Sequence, residues 1–287
     1  MFAITGITGN VGGEMARALL SAKKPVRAVV RDARKGATWA GFGCEVAVAY
    51  IDDVSALAAA FEGAEGVFVM VPSSFDPLPG FPEARRIGAT LKAALETARP
   101  GKVVYLSTIG AHAARENLLS QHTIIESALR ELTIPITFLR PGWFMENASW
   151  HVADAKKGVV PSFLKPLDKP VPMVSTVDIG RVAAGLIQEI WSGHRVVELE
   201  GPQRVTPNEI AAIFAKLLGR PVQMEEVPRE TWETIFRSQG MKNPEPRMVM
   251  LDGFNEGWIE FEDRGNVLKG RVGIEEALKR LVEGDKG

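Results

Sequence analysis

The chain has a single cysteine, Cys44, among 287 residues, so no intrachain disulfide can form and cysteine-based metal sites are excluded. Histidine is scarce as well. His112, His122, His151 and His194 show neither HxxxH nor HExxH spacing, and no metal is expected. Neither sign of charge is in excess: 34 basic residues stand against 35 acidic ones, for a net charge of −1. Nucleic acid is therefore not an expected partner. No stretch approaches the roughly 20 consecutive apolar residues that span a bilayer, so no membrane association is expected. The first strand candidate follows the N-terminus with no charged leader, which reads as cytoplasmic. No heptad or edge-strand signal speaks to oligomeric state.

What is present is an alternation of short apolar runs with helix-period segments over the first 145 residues. Strand candidates are FAIT (2–5), VRAVV (26–30), EVAVAYI (45–51), GVFVMV (66–71), KVVYLS (102–107) and PITFLR (135–140). Helical periodicity occupies 12–22, 54–64, 82–98 and 123–132 between them. Continuous apolar strands separated by helices predict an α/β fold, a doubly wound parallel sheet of Rossmann type covered on both faces. After Pro141 the texture changes, with Trp143, Phe144, Trp150 and Phe163 spread among prolines up to 175. Helix and strand patterns return at 175–191 and 195–201. At 206–219, Thr206 is placed as N-cap, Pro207 at the first helical position, Glu209 as capping-box partner and Gly219 as terminator. A dinucleotide-binding domain is expected at 1–145, joined by 175–201. A smaller α+β substrate-binding subdomain would be built from 146–174 and 202–287.

ITGITGNVGGEMARALL places Gly6, Gly9 and Gly12 between the first strand and the first helix. Gly6 allows a tight turn, Gly9 lets backbone approach a pyrophosphate, and Gly12 permits close helix–strand packing. The helix start offers N–H groups and the positive end of its dipole, while Thr8 and Asn10 can add side-chain donors. The second strand ends in AVVRD. Arg31, Arg34 and Lys35 at that tip suit the 2′-phosphate of NADP; Asp32 would instead favour the free ribose hydroxyls of NAD. NADP is the expected cofactor.

These features, with STIGAH after the fifth strand, LRPGWFMEN (139–147) and the His122–Glu126 pair, resemble one group. It is the NmrA-like family of atypical short-chain dehydrogenases/reductases. Its members include quinone, azo-dye and triphenylmethane-dye reductases, plant isoflavone-type reductases and an NADP-sensing regulator. The resemblance implies that Gly6, Thr8, Gly9, Asn10 and Val11 hold the pyrophosphate and that Arg31 contacts the 2′-phosphate. It implies that Val71 and Pro72 lie beside the adenosine, that Ser107 and Thr108 lie near the nicotinamide, and that Pro141 to Asn147 close over the nicotinamide. The sequence departs from the family at Tyr50, where an aspartate near the adenine is common; a stacked adenine is the alternative there.

Tyrosine is the most telling scarcity. The two tyrosines, Tyr50 and Tyr105, are followed four residues on by Val54 and Ile109, so there is no Tyr-x-x-x-Lys pair to protonate an alcohol oxygen during hydride transfer. In its place stand His122 and Glu126, neighbours on one helix face. A carboxylate beside an imidazole fixes its tautomer and favours its protonated form. His122 is thus a candidate proton donor or nicotinamide anchor with Glu126 as its partner; helix-capping and surface roles are the competing readings. Chemistry that tolerates a weak acid is hydride transfer to an acceptor that is already electron-poor, such as a quinone, an azo linkage or a cationic triarylmethane. A small aromatic substrate would then lie against Phe75, Trp143, Phe144 and Asn147. The expectation is an NADPH-dependent reductase of such acceptors. The alternative is a non-enzymatic NADP(H)-binding redox sensor, distinguished by the lack of an open acceptor cleft over the nicotinamide.

Overall fold

The computed structural model describes residues 1–284. The strands are β1 (Phe2–Thr5), β2 (Val26–Val30), β3 (Glu45–Val48), β4 (Gly66–Met70), β5 (Val103–Leu106), β6 (Ile136–Pro141), β7 (Trp143–Phe144), β8 (Val159–Ser162), β9 (Met173–Val174), β10 (His194–Glu200), β11 (Gln223–Glu226) and β12 (Leu268–Lys269). Eight of them form one sheet in the order β12-β10-β6-β5-β4-β1-β2-β3, with every neighbouring pair parallel. The strand order reverses between β1 and β4. In a doubly wound sheet that switch point opens a crevice at the strands' carboxyl ends.

Helices α1 (Asn10–Ser21), α2 (Ala33–Gly41), α3 (Val54–Phe61), α4 (Pro82–Ala98) and α5 (Ser120–Leu129) form the crossovers of the first half. The chain continues through α6 (Val152–Ala155), α7 (Thr176–Leu186), α8 (Pro207–Leu218), α9 (Trp232–Ser238), α10 (Glu245–Glu256) and α11 (Ile274–Gly284). Side chains alternate across the sheet as the pleat requires. Phe2 and Ile4 of β1 join Met15 and Leu19 of α1 and Ile179 of α7 on one face, while Ala3 joins Leu57, Phe61, Leu91 and Leu95 from α3 and α4 on the other. A third apolar cluster, with Phe214, Trp232, Phe236, Leu251 and Phe254, lies over the carboxyl end of the sheet and includes Ile109 and Leu118. Two small parallel ribbons, β8 with β11 and β7 with β9, belong to this region. No helix among the described residues is long and apolar enough to cross a membrane.

Two of the differences from the pattern of the sequence have local causes. Helix α2 carries no legible periodicity because it buries only Gly36 and Trp39; Asp32 starts it by accepting from the Arg34 amide. Helix α5 begins at Ser120 rather than 123, since Asn117 Oδ1 accepts the Leu119 amide and Ser120 Oγ accepts the Asn117 amide ahead of the apolar run. The capping box of α8 is formed by Thr206 and Glu209 as its spacing indicates, and Gly219 ends the helix in the left-handed conformation. Cys44 is buried between α2 and β3, and burial pushes its thiol pKa up.

Candidate active site

The turn after β1 is built on two glycines that tolerate no side chain. Gly6 sits at φ +63°, and a Cβ on Gly12 would lie 2.7 Å from the Gly6 carbonyl carbon and 2.9 Å from Ile7 Cα. Gly9 precedes α1 in extended conformation and no side chain caps the helix. The first amides of α1 are therefore left for an outside acceptor. Beside this turn a cavity of about 250 Å3 is lined by Thr8, Val30, Arg31, Asp32, Lys35 and Tyr50. Asp32 is engaged by Arg34 at 2.8 Å, and the Arg34 side chain and backbone amide hold its carboxyl below the usual range. Arg34 is thus spent on Asp32, and Arg31 and Lys35 are the cations left facing the cavity. Tyr50 is exposed at its edge.

A larger cavity of about 680 Å3 opens at the switch point. Asn10 and Val11 from the turn, Val71 and Pro72 after β4, and Ser107 and Thr108 after β5 line one side. Phe75, Trp143, Phe144 and Asn147 line it as well, as does His151, whose spacing gave no sign of it. Pro141 does not line it; it is buried at the end of β6, where its carbonyl accepts the Ile109 amide, and Gly142 lies against the cavity instead. The far wall comes from α10 and the segment before it, with Gln239, Arg247, Met250, Leu251 and Phe254. None of these carries a motif. The β4–α4 loop is pinned to both sides. Gln121 exchanges hydrogen bonds with the Ser74 backbone, while Asp76 accepts the amides of Lys242 and Asn243, which hold its carboxyl below the usual range.

His122 lines the cavity, but its partners are not the expected one. Nε2 lies 2.9 Å from Ser73 Oγ and Nδ1 lies 2.8 Å from the Tyr105 hydroxyl, and no hydrogen bond joins it to Glu126. Burial, helped by the charge of Glu126, raises the Tyr105 pKa well above its ordinary value, so the phenol keeps its proton. Nδ1 is the one hydrogen-bond partner of that phenol among the described residues, so the tautomer that leaves no buried proton unpaired has the phenol donating to Nδ1 and the Nε2–H donating to Ser73 Oγ. Burial drives the imidazole itself down to about 4, outweighing the opposite pull of Glu126. The expectation of a carboxylate-stabilised imidazolium is overturned: His122 is a neutral hydrogen-bonding group, because the i, i+4 spacing puts Glu126 nearby while other partners take its oxygens.

Those partners are Ser107 Oγ, which donates at 2.6 Å, and Arg140, which forms a fork at 2.9 and 2.7 Å, with Arg130 at 3.2 Å. Burial pushes Glu126 up, yet Arg140, Ser107 and Arg130 more than offset it and its carboxyl titrates below the usual value. Glu126 does not line the cavity; it stands behind Ser107, which does.

A pH dependence follows from His122. Its folded pKa of about 4 lies below the unfolded value, so its contribution to stability is complete above about pH 6.5 and is lost as pH falls through 4. The loss is on the order of 3 kcal/mol. In urea unfolding at pH 7.5 and 4.5, a His122→Gln variant is expected to lose less stability than the wild type across that interval. Equal losses would mean that the imidazole is solvated.

The NmrA-like family model matches residues 1–260. The chain is 31% identical over 242 residues to a (4-alkanoyl-5-oxo-2,5-dihydrofuran-3-yl)methyl phosphate reductase of Streptomyces griseus subsp. griseus, covering 83% of this chain and 81% of that one. It is 28% identical over 261 residues to an NAD(P)H azoreductase of Xenophilus azovorans, covering 89% and 85%. Among solved structures it is similar to an NADPH-dependent quinone oxidoreductase of Escherichia coli complexed with NADPH. That similarity has a TM-score of 0.81 at 25% identity, covering 98% of this chain and 99% of the other.

Proposed function

The chain belongs to the NmrA-like family, and on that premise we propose that it is an NADPH-dependent reductase of an electron-poor acceptor, quinone-like or resembling an azo or triarylmethane dye. The observation that carries the proposal is the 680 Å3 cavity, onto which the glycine turn and an aromatic wall both open. The relatives named for azo compounds and quinones, and for NAD(P)H or NADPH, support it. In this reading the amides at the start of α1 and the Gly6–Val11 turn hold the pyrophosphate. Arg31 and Lys35 hold the 2′-phosphate, Tyr50 offers a face to the adenine, and Val71, Pro72, Ser107, Thr108 and Gly142 flank the rest. When bound, NADPH supplies the hydride.

The chain's own contribution is a hydrogen bond rather than an acid. The Nε2–H of His122 occupies a lone pair of Ser73, so the Ser73 proton is free to point into the cavity, at an oxygen or nitrogen that gathers charge. Tyr105 holds the imidazole in the tautomer this requires. Neither a neutral imidazole nor a buried phenol gives up a proton cheaply, so the net proton comes from water at the rim, where Phe75 and Trp150 are exposed. A quinone or azo acceptor stores the added electron pair until that proton arrives. A cationic triarylmethane needs no proton at all. In this scheme Ser73 touches the acceptor and is the catalytic group, while His122 and, behind Ser107, Glu126 are positioning residues.

The test is NADPH consumption against a benzoquinone, a naphthol azo dye and a cationic triarylmethane dye, with NADH in parallel. Turnover is expected with at least one of them. Arg31→Ala is expected to weaken NADPH about 10- to 100-fold and NADH little. Ser73→Ala is expected to lower kcat on the quinone by about 100-fold, and much less on the triarylmethane cation, which develops no anion. The wild-type kcat profile should show no imidazole step between pH 6 and 8. Tight NADPH binding with no turnover on any acceptor would overturn the reductase reading and favour an NADP(H) sensor.

A further inference from the structure

Arg247 stands in the first turn of α10 and lines the larger cavity. Its guanidinium lies 4.4 Å from the centre of the Phe236 ring and 5.4 Å from that of Phe75. Its hydrogen-bonding contact is a weak one, Nη1 to Met241 Sδ at 3.9 Å. Among the described residues no carboxylate pairs with it. Its neighbours differ: Arg229 is held by Asp252, Arg115 by Glu256 and Arg237 by Glu233. Burial draws the Arg247 pKa down, with no acid near enough to counter it.

A guanidinium remains charged, and its five N–H bonds point outward in the plane of the group. Rings can satisfy its flat faces but not those in-plane donors. Half-buried charge without an acceptor is unfavourable, so a site that keeps one has a use for an anion there. The other ionisable groups on the cavity wall do not fill that need. Asp154 is paired with Lys157 at 2.8 Å, and burial lowers the His151 pKa so that it is neutral at pH 7. Phe75, whose ring Arg247 faces, lies two residues from Ser73, so the Cα atoms of those two loop residues are at most about 7 Å apart, and both side chains line the same cavity.

From this geometry we infer that Arg247 anchors an oxyanion carried by the acceptor, a carboxylate, sulfonate or phosphate monoester held a short distance from the electron-poor bond. The inference rests on the reductase reading and narrows its substrate class to anionic compounds. It also assigns the cavity a direction: the reducible group at Ser73, the charged substituent at the α10 wall.

The test uses two acceptors matched in size and reduction potential, a 1,4-naphthoquinone bearing a short alkyl carboxylate and its primary amide. The acid is expected to have a kcat/KM about 10- to 100-fold above that of the amide, with the difference in KM. Arg247→Gln should bring that ratio near one, and Arg247→Lys should keep part of it. Equal KM values in the wild type, or an acid preference that survives Arg247→Gln, would overturn the inference. So would a loss of NADPH affinity in Arg247→Gln, which would assign the residue to a cofactor phosphate. If neither quinone is reduced, it is the reductase reading that fails. Calorimetric binding of the same two compounds then still decides the anchor: tighter binding of the acid supports it, and equal binding overturns it.

Discussion

Arg140→Ala is expected to cost about 3–5 kcal/mol in urea unfolding, the scale of removing one partner from a buried ion pair. Arg140 and Glu126 each have side chains only 4% exposed, and their fork joins the end of β6 to the middle of α5. Arg140 also reaches Glu262 with its third nitrogen, which ties the chain after α10 to the same strand. Without the guanidinium, Glu126 keeps only Ser107 and the more exposed Arg130. A buried carboxylate left so poorly matched either stays charged at a large cost or takes up a proton. The control is the double variant Arg140→Met with Glu126→Leu, which removes both charges together. It should recover most of the loss, because the penalty belongs to the orphaned charge and not to the absence of the pair. A single variant within about 1 kcal/mol of wild type would mean that water reaches the pair.

Gly12→Ala is expected to raise the NADPH dissociation constant by at least about 100-fold, the scale on which displacement of about 1 Å acts at a positioned site. The added methyl would meet the backbone of Gly6 and Ile7, which cannot turn aside as a side chain could. Helix α1 must move away from the end of β1, and the amides proposed to hold the pyrophosphate move with it. Overpacking of this kind also lowers stability, by about 1–3 kcal/mol. Fluorescence titration with NADPH measures the first effect and thermal unfolding the second. Gly185 in α7 supplies the comparison. A Cβ there meets nothing within 4 Å, so Gly185→Ala should leave NADPH affinity alone and stabilise the fold slightly. Equal affinities for the two variants would remove the turn from the cofactor site.

The inner strands of the central sheet were legible in the sequence because they are buried on both faces. FAIT and VVYL are buried at every position, and such nearly continuous apolar runs are visible without knowing which elements will cover them. The glycine turn was legible for a related reason, since its backbone demands are local. The pairing of His122 was not. Spacing along α5 places Glu126 on the same face, but that face looks into the protein, where Tyr105 and Arg140 come from strands and outbid the helical neighbour. The half of the cavity wall formed by Arg247, Met250, Leu251 and Phe254 was also beyond reach. Those residues lie in a tail of mixed texture, and only the fold sets Phe254 against Trp143, with 5.2 Å between ring centres. Ser73 lay unremarked in a proline-rich loop beside Val71 and Pro72, and only its contact with His122 marks it out.

The single thiol has a consequence for the proposed reduction of quinones. Such compounds are electrophiles, and thiolates add to them and become permanently alkylated. Cys44 is only 7% exposed, and burial pushes its pKa up, so it offers neither access nor the reactive anion. The chain therefore carries no accessible thiolate for a quinone to alkylate, and the proposed turnover of such electrophiles would not consume it through cysteine.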